Sequence, residues 1–285
     1  MKPYLIALDL DGTLLKEDKT ISPFTKDVIR RAIDAGHFIV IATGRPYRAS
    51  RMYYEELGLT TPIINFNGAF VHHPRQPSWG VRHSPLPLAV VKDIVELGET
   101  YRIKNILAEV MDDVYFHEHD DILLDIVRLG NPTIEIGDLR RSLGKDPTSV
   151  LVYTDSDHIE HIQSHLSNVY ANVLHHRRWN EPWHVIEIIR HGVHKAVGLK
   201  QVADCFGIPR ERVIAFGDED NDLEMIAWAG LGVAMGNAIE PLKTVADDVT
   251  KSNEEDGIGL YLQDILGLQP SSRSERPGTD NTSLL

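Results

Sequence analysis

A single cysteine, Cys205, occurs in the 285 residues. One thiol supports neither a disulfide framework nor a multi-thiolate metal site, and its place on an apolar helix pattern makes it an expected core residue. Long apolar runs are missing too. Nothing approaches the roughly 20 residues that a membrane helix needs, and the run Leu5–Leu8 meets acids too soon to act as a signal peptide. Basic residues are scarce, 29 against 42 acidic, for a formal charge of −13. A surface that neutralises many nucleic-acid phosphates needs the opposite balance. The expectation is a cytoplasmic monomer or homodimer with no nucleic-acid or membrane partner, whose attraction for any anion is local.

What is present fits an ordinary globular chain, 42% hydrophobic and 25% charged, long enough for about two domains. The apolar run at 4–8 reads as a strand ending at Asp9. Ser22-Pro23 reads as an N-cap with proline at the first helical position, and Val28, Ile29, Ala32 and Ile33 follow at helical spacing. Further buried strands at 38–42 and 63–66, separated by a helix at 47–57, give the alternation of a doubly wound parallel α/β sheet. The rhythm returns after Lys195, with a helix to Phe206, strands at 212–216 and 232–235, and a helix at 223–229. Between them, residues 83–190 read as an α+β insert: helices at 88–101, 120–129 and 157–167, and strands at 105–110, 114–117, 149–153, 172–175 and 184–189. The expected organisation is a core of 1–82 and 191–268, a lid of 83–190, and a disordered tail of 269–285.

In an open parallel sheet, ligands bind beyond the carboxyl ends of the strands. The sequence places Asp9 and Asp11, Thr43-Gly44, Asn67, and Asp218 with Asn221 and Asp222 at those ends. Several carboxylates in one crevice are costly unless a cation neutralises them, and a hard divalent ion such as Mg²⁺ answers that need. The Thr43 hydroxyl and backbone N–H can hold phosphate oxygens, and Lys195 can bring a positive charge to the same place. A strand-end aspartate can then serve as a nucleophile toward phosphorus.

Asp9-Leu10-Asp11-Gly12-Thr13, Thr43-Gly44-Arg45, Lys195 and Gly217-Asp218-Glu219-Asp220-Asn221-Asp222 resemble the four motifs of the haloacid dehalogenase superfamily. Phe66-Asn67-Gly68-Ala69 and Ala234-Met235-Gly236-Asn237-Ala238 narrow the resemblance to its Cof-type, subclass IIB branch, over residues 1–268. The resemblance implies a Rossmann-like core with an inserted α+β cap, and a Mg²⁺-dependent hydrolase of small phosphate monoesters working through an aspartyl-phosphate. It implies Asp9 as nucleophile and Asp11 as acid and base. The metal would be held by Asp9, the Asp11 carbonyl and Asp218, and the phosphoryl group by Thr43, Gly44, Lys195 and Asn221. A sugar phosphate or a phosphorylated cofactor precursor is the expected substrate class. A phosphomutase or other phosphoryl transferase on the same scaffold, and a non-catalytic stress-related binding protein, remain alternatives.

Other residues carry blander expectations. Arg45 reads as a surface arginine opening a helix, with an approach to substrate as the alternative, and Asn67 as either a turn residue or site lining. Trp179, Trp183 and His184 read as core of the insert. His158, His161 and His165 share a helical face among fourteen histidines. A zinc site needs convergence that spacing does not supply, so they read as solvated.

Overall fold

The computed structural model describes residues 2–98, 100–179 and 183–269, so the tail beyond Gln269 lies outside the described residues. Five strands form a parallel sheet, in spatial order β14 (Asp248–Val249), β13 (Leu231–Ala234), β12 (Val213–Gly217), β1 (Leu5–Leu8) and β2 (Phe38–Ile41). β1 is buried throughout, between β12 in the register Leu5 to Val213 and β2 in the register Leu5 to Phe38. A parallel bridge from Ala42 to Ile64 attaches β3 (Ile63–Asn65), which continues into an antiparallel ribbon with β4 (Phe70–His72) and β5 (Val81–His83). Helices α1 (Pro23–Asp34), α2 (Tyr47–Glu56), α7 (Lys195–Phe206), α8 (Leu223–Trp228), α9 (Glu240–Val245) and α10 (Gly257–Ile265) accompany this sheet. Ser22 caps α1 through Thr25 N–H, with Pro23 beside it, and Gly207 ends α7 in the left-handed conformation.

The remaining six strands form a second sheet, β10 (Leu174–Arg178), β11 (Val185–Arg190), β9 (Ser149–Tyr153), β6 (Asn105–Val110), β7 (Asp113–Phe116) and β8 (Ile134–Ile136), antiparallel except for the last pair. Its two faces differ because strand side chains alternate. Ile106, Ala108, Val150, Val152, Ile186 and Ile188 pack on α3 (Leu88–Glu96), α5 (Leu139–Ser142) and α6 (Ser156–Tyr170). The opposite face carries Leu107, Leu151 and Val185 against α4 (Asp121–Val127), together with two buried acids, Glu109 and Glu187. Each fully buried aliphatic side chain contributes about 1.5–3 kcal/mol of transfer free energy, so each sheet has its own source of stability. That acid-bearing face covers the carboxyl ends of the parallel strands; we call the two layers roof and floor. No helix among the described residues is long and apolar enough to cross a membrane.

Several expectations need correction. Cys205 is exposed, not buried, with its thiol near Arg82; the apolar stripe of α7 runs through Leu199, Val202 and Ala203 and leaves it outside. The helix expected at 88–101 ends at Glu96, and the strand expected at 172–175 runs from Leu174 to Arg178. That strand is an edge rich in histidine and arginine, so it has no apolar alternation to read. The β4–β5 ribbon, β8, α5, β14 and α10 are additions, most of them too short to show a period.

Candidate active site

Asp9 follows β1 directly, and its buried carboxylate accepts a 2.7 Å hydrogen bond from Lys195 Nζ through Oδ1. Lys195 opens α7 and is fully buried; its other recorded partner is Asp222 Oδ1, also at 2.7 Å. Burial works against the lysine charge, but Asp222 and Asp9 overcome it and raise its pKa. Asp222 is occupied further, accepting the backbone N–H groups of Asp218 at 3.1 Å and Glu219 at 3.3 Å. Gly217 makes this turn possible, since a Cβ there would lie 2.5 Å from that of Asp222.

Asp218 Oδ1 accepts the Thr13 hydroxyl at 2.6 Å. Burial pushes the carboxyls of both Asp9 and Asp218 up, Lys195 opposes the effect, and neighbouring carboxylates add to it, Asp222 for both and Asp9 for Asp218. Carboxylate oxygens of Asp9, Asp218 and Asp222 lie within 4.8 Å of one another, the one such group of three among the described residues. Space is kept there by Gly12 at φ +73°, where a Cβ would fall 2.1 Å from Asp218 Oδ2. Buried carboxylates that repel each other, under a backbone with no side chain to fill the gap, form a donor set that fits a hard divalent cation.

Thr43 is buried at the end of β2. Its N–H is committed to Ile64 O at 2.9 Å, so only its hydroxyl can serve an incoming oxygen, contrary to the expectation that both could. Asn221 and Asn67 meet at 2.9 Å, Asn221 Nδ2 donating to Asn67 Oδ1. Asn67 sits at φ +53° in the turn after β3, and its amide nitrogen reaches roof residue Glu187 at 3.3 Å.

Asp11 differs from the other acids. Arg45 Nε and Nη2 grip its two oxygens at 2.6 Å each, and Lys19 adds a bond at 2.9 Å. Burial would raise its pKa, yet the Arg45 and Lys19 contacts bring it down to about 2. Arg45 is therefore no free surface arginine: its guanidinium is a floor element bound to Asp11, over Tyr53. Asp9, Asp11, Thr43, Gly44 and Asn221 all line one cavity of about 670 Å³, with Asp218 and Lys195 tied to it through Asp9.

The roof supplies the rest of the wall. Trp179, which packs on the Leu107 cluster as a core residue would, also lines the cavity, and so does Trp183, which is exposed and not core, together with Glu109, Leu151, Arg177 and Glu187. Arg177 spans the seam, 2.6 Å from Asp220 of the floor and 3.9 Å from Glu187. Burial pushes the Glu187 carboxyl up against the pull of Arg177. The legible signal for these acids is a lone glutamate inside an otherwise apolar strand, in Asn-Ile-Leu-Ala-Glu-Val and Val-Ile-Glu-Ile-Ile-Arg, where a buried charge needs a partner or a purpose. His158, His161 and His165 lie along an open groove of α6 beside Tyr101, away from this cavity.

A strand-end carboxylate cluster on a parallel sheet, roofed by a second sheet, defines a class. The family described as haloacid dehalogenase-like hydrolase matches residues 6–262, and the chain belongs to it. It is an enzyme of that hydrolase family, in a branch whose similar members are phosphatases. Among these, 5-amino-6-(5-phospho-D-ribitylamino)uracil phosphatase YitU of Bacillus subtilis (strain 168) is 57% identical over 267 residues, covering 94% of this chain and 99% of that protein. The pyridoxal phosphate phosphatase YbhA of Escherichia coli (strain K12) is 29% identical, over 92% of this chain and 98% of that one. The crystal structure of a haloacid dehalogenase-like hydrolase from Bacteroides thetaiotaomicron superposes with a TM-score of 0.81 at 31% identity, over 93% of this chain and 100% of that one.

Proposed function

We propose that the enzyme hydrolyses a small phosphate monoester through an aspartyl-phosphate on Asp9, and that the ester is 5-amino-6-(5-phospho-D-ribitylamino)uracil or a close chemical relative. The observation that carries this reading is the setting of Asp9: a buried carboxylate, aligned by Lys195, at the floor of a cavity of about 670 Å³, within the roughly 300–1,000 Å³ typical of metabolite sites. The YitU relative acts on that uracil ester by its name, and its similarity spans floor and roof alike.

Asp9 attacks phosphorus with one carboxylate oxygen, and the bond from phosphorus to the ester oxygen breaks. Lys195 holds the other oxygen of Asp9 and offsets charge gathering at the phosphoryl group. The Thr43 hydroxyl, Gly44 and Asn221 hold the phosphoryl oxygens. Asp11 gives a proton to the departing alcohol, then removes one from the water that opens the aspartyl-phosphate and releases inorganic phosphate. The first of these duties requires a protonated Asp11, so Arg45 must loosen its grip when substrate enters. Asp9, Asp218 and the Asp11 carbonyl would hold Mg²⁺, which when bound offsets the carboxylate charge and polarises phosphoryl oxygens. The roof excludes water and selects the alcohol.

The test is release of inorganic phosphate from the uracil ester, pyridoxal phosphate, hexose phosphates and p-nitrophenyl phosphate, with Mg²⁺ and with EDTA, and no added acceptor. Metal-dependent release led by the uracil ester is expected. Transfer to an alcohol without free phosphate would replace hydrolysis by phosphoryl transfer.

A further inference from the structure

Arg48 belongs to α2 of the floor, yet its surroundings come from the roof. Its backbone N–H donates to Asp112 at 2.9 Å, at the turn between β6 and β7. Its Nη2 donates to Glu109 Oε1 at 2.5 Å, and the other oxygen of Glu109 accepts the Ser149 hydroxyl at 2.9 Å. Gly130, after α4, presses on the same residue: a Cβ on Gly130 would lie 2.3 Å from the Arg48 carbonyl oxygen and 2.6 Å from the Arg48 Cβ. The backbone of Arg48 is thus met by the roof at two places and its side chain is held by Glu109, leaving it only 5% exposed.

Two of its nitrogens, Nε and Nη1, are buried with no hydrogen-bond partner among the described residues, and Arg48 lines the cavity that holds Asp9. Buried guanidinium N–H groups left unmatched cost free energy, and such a cost is recovered when a ligand supplies the acceptor. Glu109 already neutralises the arginine, so the pair offers directed donors without net charge. A second phosphate would also face the carboxylates of Glu109 and Glu187 in the same wall. The matching chemistry is an uncharged acceptor, a carbonyl oxygen or ring nitrogen of a planar group, for which Trp179 elsewhere in the same wall offers an aromatic face.

We infer that Arg48 reads the phosphate-free end of the substrate, one of its unmatched donors, Nε–H or Nη1–H, turning out of its buried position to donate to a carbonyl or ring-nitrogen acceptor of a heterocycle. This rests on the phosphatase reading above and adds to it the residue that sets specificity. Glu109 and Gly130 act through Arg48 as positioning residues.

The test compares kcat/KM for the uracil ester with that for ribitol 5-phosphate, which keeps the chain and phosphate but lacks the ring. In Arg48→Ala the loss for the uracil ester is expected to exceed that for ribitol 5-phosphate by about 10- to 100-fold, because a site built to hydrogen-bond is left unpaired. Arg48→Lys, which keeps charge and bulk but not the fork, is expected to shift the ratio in the same direction. Equal losses for both esters, or an unchanged ratio, would overturn the inference, as would a wild-type enzyme that does not prefer the ring-bearing ester. Binding of the dephosphorylated product, 5-amino-6-(D-ribitylamino)uracil, measured by calorimetry, separates the two readings. Affinity that falls at least about tenfold in Arg48→Lys while no ester is hydrolysed would sink the phosphatase and keep the role of Arg48. Hydrolysis of the uracil ester with an unchanged ratio and unchanged product affinity would do the reverse.

Discussion

Floor and roof solve different problems with the same residue types. In the floor, charges are held by backbone and by one another: Lys195 between Asp9 and Asp222, Asp222 on two N–H groups, Asp218 on Thr13. In the roof, Glu109 and Glu187 are the buried acids of a sheet face, and they reach down to Arg48 and Asn67 of the floor. A rigid cluster suits chemistry common to every phosphate ester, whereas paired charges and aromatic rings on an alternating face suit discrimination among alcohols. The comparison teaches that loss of a residue from the floor's carboxylate cluster should damage all substrates alike, whereas loss of a roof residue, or of Arg48, which the roof holds, should damage them selectively.

The sharpest attempt to break that division is Asp9→Asn. Its amide cannot serve as nucleophile, so phosphate release from every ester should fall by at least about 10³-fold while the fold persists. Activity within tenfold of wild type would remove Asp9 from the chemistry. Lys195→Met probes the same cluster as structure. It leaves two buried carboxylates without their cation, at a cost of about 3–5 kcal/mol, and a melting temperature lower by about 6 °C or more in EDTA is expected. An unaltered melt would show that the buried ion pairs are not structural supports.

Trp179→Ala tests the roof. It should lower kcat/KM for ring-bearing esters by about tenfold and affect p-nitrophenyl phosphate and ribitol 5-phosphate unequally; a uniform loss would blur the division. The smallest effect is expected from His72, packed between Tyr47 and Phe70, its buried Nδ1 without a partner among the described residues. Burial, with His73 adding, lowers its pKa to about 4. The unfolded chain takes up this proton first, near pH 6.5, so the native state loses stability as pH falls from about 6.5 to 4 and gains nothing further above that range. In His72→Phe, melting temperature should decline less across this window, and an identical decline would exclude His72 as a source.

Much of the floor was legible because its chemistry lies in contiguous runs. Asp9 to Thr13 and Asp218 to Asp222 each stand where an apolar strand stops, and Gly12, Gly217 and Gly207 mark turns that local chemistry explains. The roof was harder to read. Glu109, Glu187 and Leu151 share a face only through the register of β6, β9 and β11, and Trp179 reaches the cavity from an edge strand whose polar sequence conceals its limits. Arg45 was misjudged for a related reason, since its partner Asp11 lies 34 positions away. The commitment of Thr43 N–H to Ile64 also depends on how β3 docks, which no local pattern records.

The interruption of the floor by the roof has a consequence for synthesis on the ribosome. β1 pairs with β2 soon after both are made, but its other neighbour, β12, lies roughly two hundred residues further on. At roughly 5–20 residues per second, about ten to forty seconds pass before that edge can be covered. All strands of the roof, from Asn105 to Arg190, emerge in between and can pair among themselves. The strand that leads into Asp9 therefore waits through the making of the whole roof with one edge open, and this exposed edge is where a chaperone, or another nascent copy, would find its hold.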